Sequence, residues 1–190
     1  MHQSSYQAMS NIVNRLSLPK NAVILDVGSY NVNGTYKPIF SKFSYTGTDQ
    51  VEGPNVDIVM DAYTLKNPVT NCLIENEYDL VISGQSLEHM EFPLLAAMAM
   101  KRAVKTSGWV IWIVPFACPD HKYPIDCWRV ISDGMKFLLE GFENIEIMTK
   151  EHDPGSWAAD TIGVGQKPAD YQERWSIMDT LTGKKYGIYN

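Results

Sequence analysis

The sequence predicts an α/β fold built on a mostly parallel β-sheet, and three observations support this. The segment 23–27 is apolar except for Asp26 and does not alternate, which indicates a strand buried on both faces. A helical stretch at 93–106 separates two further apolar runs, as expected for a crossover between parallel strands. Acids and glycines follow the predicted strands, at the edge where such sheets bind ligands.

The other elements follow from periodicity and turn residues. A helix over residues 3–17 has apolar residues on one face and is expected to end before Pro19. Further strands are predicted at 44–49, 56–60, 77–83, 109–114, 143–149 and 161–168, and short helices at 35–43 and 134–140. No long helix separates the last two strands, which predicts an antiparallel pair at the sheet edge.

Composition favours one domain over residues 1–190, with an N-terminal helix in 1–20 and an irregular tail at 169–190. The chain has 190 residues, of which 45% are hydrophobic, enough for one sizeable core. Its net charge of -6, without a dense Lys/Arg run, argues against a nucleic-acid partner. We expect no membrane association, because no apolar run approaches the length of a span, and no signal peptide precedes the domain.

The three cysteines, Cys72, Cys118 and Cys127, are few and odd in number. This favours free thiols in a reducing compartment and therefore a cytoplasmic location. His121 lies between Cys118 and Cys127, so a zinc site is conceivable. A fourth ligand and the usual close spacing are missing, and we predict no metal. The oligomeric state is not indicated.

The turn after the first strand is a candidate ligand site. Asp26 is followed by Gly28, Ser29 and, after a short loop, Gly34. Glycine has no Cβ, so the backbone of such a turn can approach a ligand closely. We therefore assign Asp26, Gly28, Ser29 and Gly34 to cofactor binding, with an ordinary strand-to-helix turn as the alternative.

Two further acids end the next strands. Asp49 closes the second strand, next to Gln50, and is placed to accept hydrogen bonds from ribose hydroxyls. Asp61 and Ala62 follow the third strand in the same way. The alternatives are a helix-capping or loop aspartate at Asp49 and a solvated loop acid at Asp61.

The fourth strand and its continuation complete a family resemblance. Asp26 and Gly28 resemble motif I of the class I S-adenosylmethionine (SAM)-dependent methyltransferases, although Tyr30 replaces the usual second glycine. Asp79-Leu-Val-Ile-Ser83 and Leu87-Glu-His89 are similar to the commonest subgroup, the methyltransferase type 11-like enzymes. The resemblance extends over roughly residues 20–167.

This resemblance implies a Rossmann-like three-layer sandwich with a seven-stranded, mostly parallel sheet whose last strand is antiparallel. It also implies SAM as the cofactor. In the family, an acid at the position of Asp61 contacts the adenine amino group and the next N–H, at Ala62, meets the ring. Ser83 and Gln85 would flank the methionine part.

The loop 116–129 follows the fifth strand, at the ligand edge of the sheet. Tyr123 and Trp128 could form an aromatic wall for the acceptor, and Arg129 could hold an anionic group. The alternative is a structural loop held by Trp128 and an Asp126–Arg129 pair, and both interpretations can hold together.

Methyl transfer needs a base only for some acceptors. His121 is the first candidate and His89 the second, because imidazole titrates near neutral pH, and Asp126 could orient His121. The predicted function is methyl transfer from SAM to a small-molecule acceptor, such as a metabolite or a sugar or lipid precursor.

Two other classes stay open. A dinucleotide-dependent oxidoreductase is disfavoured, because residues 28–34 lack the Gly-x-Gly-x-x-Gly pattern. A SAM-binding partner or regulatory module without catalysis is compatible with the altered glycine turn.

Overall fold

The computed structural model describes residues 2–172, so most of the predicted tail, residues 173–190, lies outside the described part of the chain. Seven strands form one sheet in the order β3-β2-β1-β4-β5-β7-β6. The strands are β1 Val23–Val27, β2 Ser44–Asp49, β3 Ile58–Val59, β4 Tyr78–Gly84, β5 Val104–Ala117, β6 Glu143–Glu151 and β7 Ala159–Gln166. The α-helices are α1 Gln3–Arg15, α2 Pro93–Ala103 and α3 Ser132–Leu138.

The pairing confirms the predicted fold class. β1 pairs in parallel with β2 and β4, and β4 pairs in parallel with β5. Within residues 2–172, β7 is the last strand, and it runs antiparallel to both of its neighbours, β5 and β6. The long crossover from β4 to β5 contains α2, whose buried alanines allow it to lie close to the sheet.

Apolar cores on the two faces of the sheet make this a three-layer structure. On one face, α1 and a short 3-10 helix, Lys37–Phe40, contribute Met9, Ile12 and Phe40 to a buried cluster. On the other face, α2 and α3 pack over a second cluster that includes the fully buried Trp112. The absence of alternation in β1 and β4 follows from this burial on both faces.

Several element boundaries differ from the sequence predictions. β3 is only two residues long, because Asp57 bonds Gly47 through both its backbone N–H and its carboxylate before regular pairing begins. β5 begins at Val104, where it pairs with Tyr78, so α2 ends earlier than residue 106. None of the helices among residues 2–172 is long and apolar enough to cross a membrane.

Candidate active site

A cleft of about 900 Å³ opens at the carboxyl ends of the parallel strands. This volume is within the range of small-molecule sites. The predicted site residues that line it are Asp26, Gly28, Ser29, Gly34, Asp49, Gln50, Asp61, Ala62, Gln85, His89, His121 and Tyr123. The cleft therefore joins the strand-end acids to the loop after β5 in one space.

Asp26 is buried at the end of β1 and accepts a hydrogen bond from the Tyr45 hydroxyl, with 2.6 Å between the oxygens. Burial raises the pKa of Asp26 to about 7, although the Tyr45 hydrogen bond opposes the shift. A nearly buried carboxylate without a cationic partner is costly, so this end of the cleft favours a positively charged ligand group.

The turn after β1 is shaped by hydrogen bonds within the protein. Gly28 has φ +81°, a conformation that glycine adopts without strain. The N–H groups of Gly28 and Ser29 both donate to the Thr48 carbonyl, and the Gly34 N–H donates to Asn31. These three N–H groups already donate hydrogen bonds within the protein and are not free to bind a ligand. The turn therefore contributes to ligand binding through its shape, which lets the backbone come close to the ligand.

Asp49 lies half-buried at the end of β2, with its carboxylate fixed by two backbone groups. Gln50 N–H donates to Oδ1 at 2.8 Å, and Tyr30 N–H donates to Oδ2 at 3.3 Å. Each carboxylate oxygen can accept more than one bond, so both retain acceptor capacity toward the cleft.

Asp61 is exposed and also lines the cleft. Its Oδ1 accepts the N–H of Tyr63 at 2.8 Å, which makes it the side chain of a local turn as well as a cleft residue. Asp61 is therefore a loop residue, as the alternative from the sequence expected. The hydrogen bond from Tyr63 also holds its carboxylate in place beside Ala62.

Ser83 does not line the cleft. Its side chain is buried in β4, and its hydroxyl has no hydrogen-bond partner within residues 2–172. Gly84 lies at the cleft wall instead, where a Cβ would be 2.6 Å from the Tyr36 hydroxyl oxygen. Tyr36 lines the cleft, and its buried hydroxyl lacks a partner within the described chain, so it is a donor that the sequence did not reveal.

The loop after β5 is held by its own side chains and also contributes residues to the cleft lining. Arg129 forms a two-pronged ion pair with Asp126, at 2.6 and 2.8 Å, and the arginine lowers the pKa of Asp126 well below its usual range. Trp128 donates its indole N–H to the Met90 carbonyl at 2.9 Å. Asp126, Trp128 and Arg129 are absent from the cleft lining.

The polar groups of Trp128 and Arg129 therefore bond within the protein, as the structural alternative for this loop expects. They hold the loop so that His121 and Tyr123 line the cleft. Asp126 Oδ2 accepts the backbone N–H of His121 at 2.8 Å and lies 3.4 Å from Nδ1 of the His121 ring, so it fixes the main chain that carries this histidine.

His121 and His89 meet above a buried glutamate that the sequence did not single out. The Nε2 atoms of both rings lie 3.7 Å from Glu88 Oε1. The Glu88 carboxylate is the main cause of a raised pKa at His121, and partial burial opposes it. Glu88 is completely buried, and neither of its carboxylate oxygens has a hydrogen-bond partner within residues 2–172.

A second histidine pair was also missed. His2 and His152 line the cleft and stack with 3.7 Å between ring centroids. His152 Nε2 lies 2.9 Å from Oδ1 of the buried Asp160, which also accepts the Ser5 hydroxyl. These residues come from the N-terminus and from the β6–β7 hairpin, so no local sequence pattern joins them.

Comparison with protein-family models and with curated proteins finds no match to the sequence. Solved structures match at the level of the fold. The chain is similar to a Burkholderia thailandensis 1,6-didemethyltoxoflavin-N1-methyltransferase holding S-adenosylhomocysteine, with TM-score 0.67, 12% identity, and coverage of 87% of this chain and 80% of that one.

The chain is also similar to the CurJ carbon methyltransferase, with TM-score 0.65, 13% identity and coverage of 86% of this chain. It spans 54% of the CurJ chain. The [4+2]-cyclase SpnF is another similar structure, with TM-score 0.61, 16% identity, and coverage of 85% and 80% of the two chains.

The protein therefore has the Rossmann-like fold of the class I SAM-dependent methyltransferases. The resemblance predicted from the strand-end motifs is confirmed at this level. Because SpnF shares the fold and is named as a cyclase, the reaction has to be argued from the site itself.

Proposed function

We propose that this protein is a SAM-dependent methyltransferase that acts on a small-molecule acceptor. The observation that carries the proposal is the shared cleft, in which Asp49 and Asp61 lie together with His121 and His89. Its volume of about 900 Å³ suits a nucleoside cofactor beside a small acceptor.

The residues present fit the cofactor group by group. Asp49 offers fixed carboxylate oxygens to the ribose hydroxyls, and Asp61 offers an acceptor to the adenine amino group. The unpartnered Tyr36 hydroxyl and the Gln85 side chain line the part of the cleft assigned to the methionine moiety. Asp26, whose carboxylate is costly to bury alone, favours a cationic group nearby.

Bound SAM would supply a methyl carbon that is already activated by its sulfonium. The work left to the protein is to hold the acceptor in line with that carbon and to exclude water. The loop pinned by Asp126 and Arg129 forms the acceptor wall and presents His121 and Tyr123. An acceptor that must lose a proton would meet His121 and His89 there.

Two further features support a small acceptor and a location inside the cell. The net charge of -6 disfavours a polyanionic partner such as nucleic acid. Cys72, Cys118 and Cys127 are all unpaired, as expected in a reducing compartment such as the cytoplasm.

The test is isothermal titration calorimetry of the purified protein with SAM and with S-adenosylhomocysteine, followed by transfer of labelled methyl groups to panels of small molecules. We expect one binding site per chain for both ligands and transfer to at least one acceptor class. Absence of binding to both would contradict the proposal. Binding without transfer to any panel would instead favour a SAM-binding module.

A further inference from the structure

Three groups that can bind a cation meet beside the cleft. They are a carboxylate oxygen of Glu88 and the Nε2 atoms of His89 and His121. One ligand atom from each residue lies within 4.8 Å of the other two. Such a group is unfavourable unless a cation lies between its members.

The tautomer of each histidine is set by its other ring nitrogen. His89 Nδ1 lies 2.6 Å from the Ile125 carbonyl, which can only accept, so Nδ1 carries the hydrogen. His121 Nδ1 lies 3.2 Å from the Pro119 carbonyl and 3.4 Å from Asp126 Oδ2, and the same argument applies. In its neutral form, which is the form that binds metal, each ring therefore directs the lone pair of Nε2 toward Glu88, and the hydrogen bond at Nδ1 is the usual support of metal-binding histidines.

The distances distinguish a shared cation from direct hydrogen bonds. Each Nε2 lies 3.7 Å from Glu88 Oε1, beyond the 2.7–3.2 Å of an N–H···O bond. Ligands that bind one metal ion at about 2.0–2.2 Å are separated from one another by roughly 3–4 Å. The spacing therefore suits atoms that share an ion better than atoms that bond each other.

The burial of Glu88 is the second, independent observation. Its side chain has 0% exposure, and both oxygens lack a hydrogen-bond partner within residues 2–172. Arg129, a residue of the loop after β5 with a fixed positive charge, donates to Asp126 through both of its terminal nitrogens. A buried carboxylate with this environment requires a counter-charge, and the two imidazoles show where it would lie.

We propose that Glu88, His89 and His121 bind a divalent first-row transition-metal ion, for which Zn²⁺ is the probe. Two imidazole nitrogens and one carboxylate oxygen suit such ions, and three protein ligands leave a coordination position open. His89 and His121 line the cleft, whereas Glu88 lies behind them, so the open position faces the acceptor space.

The metal site indicates which chemical group of the acceptor receives the methyl group. This part of the inference rests on the proposed function. An acceptor hydroxyl in the open position would lose its proton to solvent more easily, because the ion stabilises the oxyanion. That oxygen then forms a bond to the methyl carbon as the carbon–sulfur bond breaks, and the sulfonium becomes a neutral thioether. The favoured acceptors are therefore molecules with a metal-binding hydroxyl.

The experiment is calorimetric titration of chelator-treated protein with Zn²⁺, together with metal analysis of the protein as purified. We expect one high-affinity ion per chain, and Glu88→Gln and His121→Ala each to weaken binding by at least about 100-fold, since loss of a ligand removes a full coordination bond. His152→Ala is the matched control, because His152 lies in the same cleft but outside the cluster.

Cys118→Ser is the second control, since the Cys118 sulfur lies 3.6 Å from His121 Nδ1. Neither control variant should change the affinity for Zn²⁺, and the Co²⁺ form should show no thiolate charge-transfer absorption. Failure of the wild-type protein to bind Zn²⁺, or loss of binding in His152→Ala with retention in Glu88→Gln, would overturn the proposal. A Glu88→Gln variant that does not fold leaves His121→Ala and His89→Ala to decide.

Binding of SAM separates this proposal from the proposed function. Glu88→Gln should bind SAM with an affinity within about threefold of the wild type, because Glu88 is not among the residues that line the cleft, whereas Asp49 and Asp61 are. A protein that binds SAM but no metal refutes only the metal site, whereas one that binds Zn²⁺ but no SAM refutes only the methyltransferase.

Discussion

The Asp26 and Asp126 side chains are both carboxylates with little solvent exposure, but their pKa values are shifted in opposite directions. Asp26 accepts a hydrogen bond from neutral Tyr45, and burial raises its pKa to about 7. Asp126 is paired with Arg129, which lowers its pKa. Asp126, in the loop beside the acceptor half of the cleft, therefore has its counter-charge within the protein. The charge of Asp26, in the cofactor half, would instead be balanced by a cationic group of a bound ligand.

The two acids therefore have different roles: Asp126 stabilises the fold, and Asp26 favours the binding of a ligand. An acid that is fully paired within the protein holds a loop in place, and its removal should lower stability. An acid that faces a cleft without a cation is unfavourable for stability and favourable for binding a cation. Single substitutions at these and related residues distinguish the two cases.

The largest effect is expected for Asp26→Asn at alkaline pH. The folded-state pKa of about 7 lies above the ordinary aspartate pKa of 3.8, so folding favours the protonated acid. Stability from this group is fully present below pH 4 and is lost as pH rises through 7, by up to about 4 kcal/mol. Urea unfolding should show Asp26→Asn to be more stable than the wild type at pH 8, with the difference vanishing near pH 4. A constant difference across this range would contradict it.

Asp126→Asn should destabilise the protein by about 2–3 kcal/mol, because Arg129 would lose a buried counter-charge. The matched control is Arg15→Gln. Arg15 and Glu146 form a similar two-pronged pair, but their side chains are 44% and 46% exposed. This control should change the free energy of unfolding by less than about 1 kcal/mol. Equal effects of the two substitutions in denaturant titrations would show that burial does not distinguish the pairs.

Asp49→Asn should weaken SAM binding by about 10- to 100-fold, because charge-assisted hydrogen bonds to the ribose would be lost. The free energy of unfolding should change little, since the asparagine oxygen can still accept a backbone N–H. Asp170→Asn, at an exposed acid outside the cleft lining, is the control in the same calorimetric titration. An unchanged affinity in Asp49→Asn would remove the ribose role.

Trp128→Phe should have the smallest effect, a loss of about 1 kcal/mol in stability from the hydrogen bond to the Met90 carbonyl. Affinity for SAM should stay within twofold of the wild type, because Trp128 does not line the cleft. A large increase in the KM of the acceptor, with unchanged stability, would return Trp128 to a substrate-binding role.

The strand positions were predictable because burial on both faces gives continuous apolar runs, as in β1 and β4. Asp49 and Asp61 could be assigned to one cleft because parallel strands end at the same edge of the sheet. The direction of side chains in the loop 116–129 could not be predicted in this way. Without a strand or helix period, the sequence does not indicate which residues of a loop face a cleft and which face the protein.

Periodicity and chain order were enough to predict the sheet, its antiparallel last strand and the acids at the strand ends. The fold was needed to join Glu88 and His89 to His121, and His2 and Ser5 to His152 and Asp160. The physical reason is that both clusters depend on packing between segments distant in the chain. A buried carboxylate shows that it lacks a partner only once its surroundings are in place.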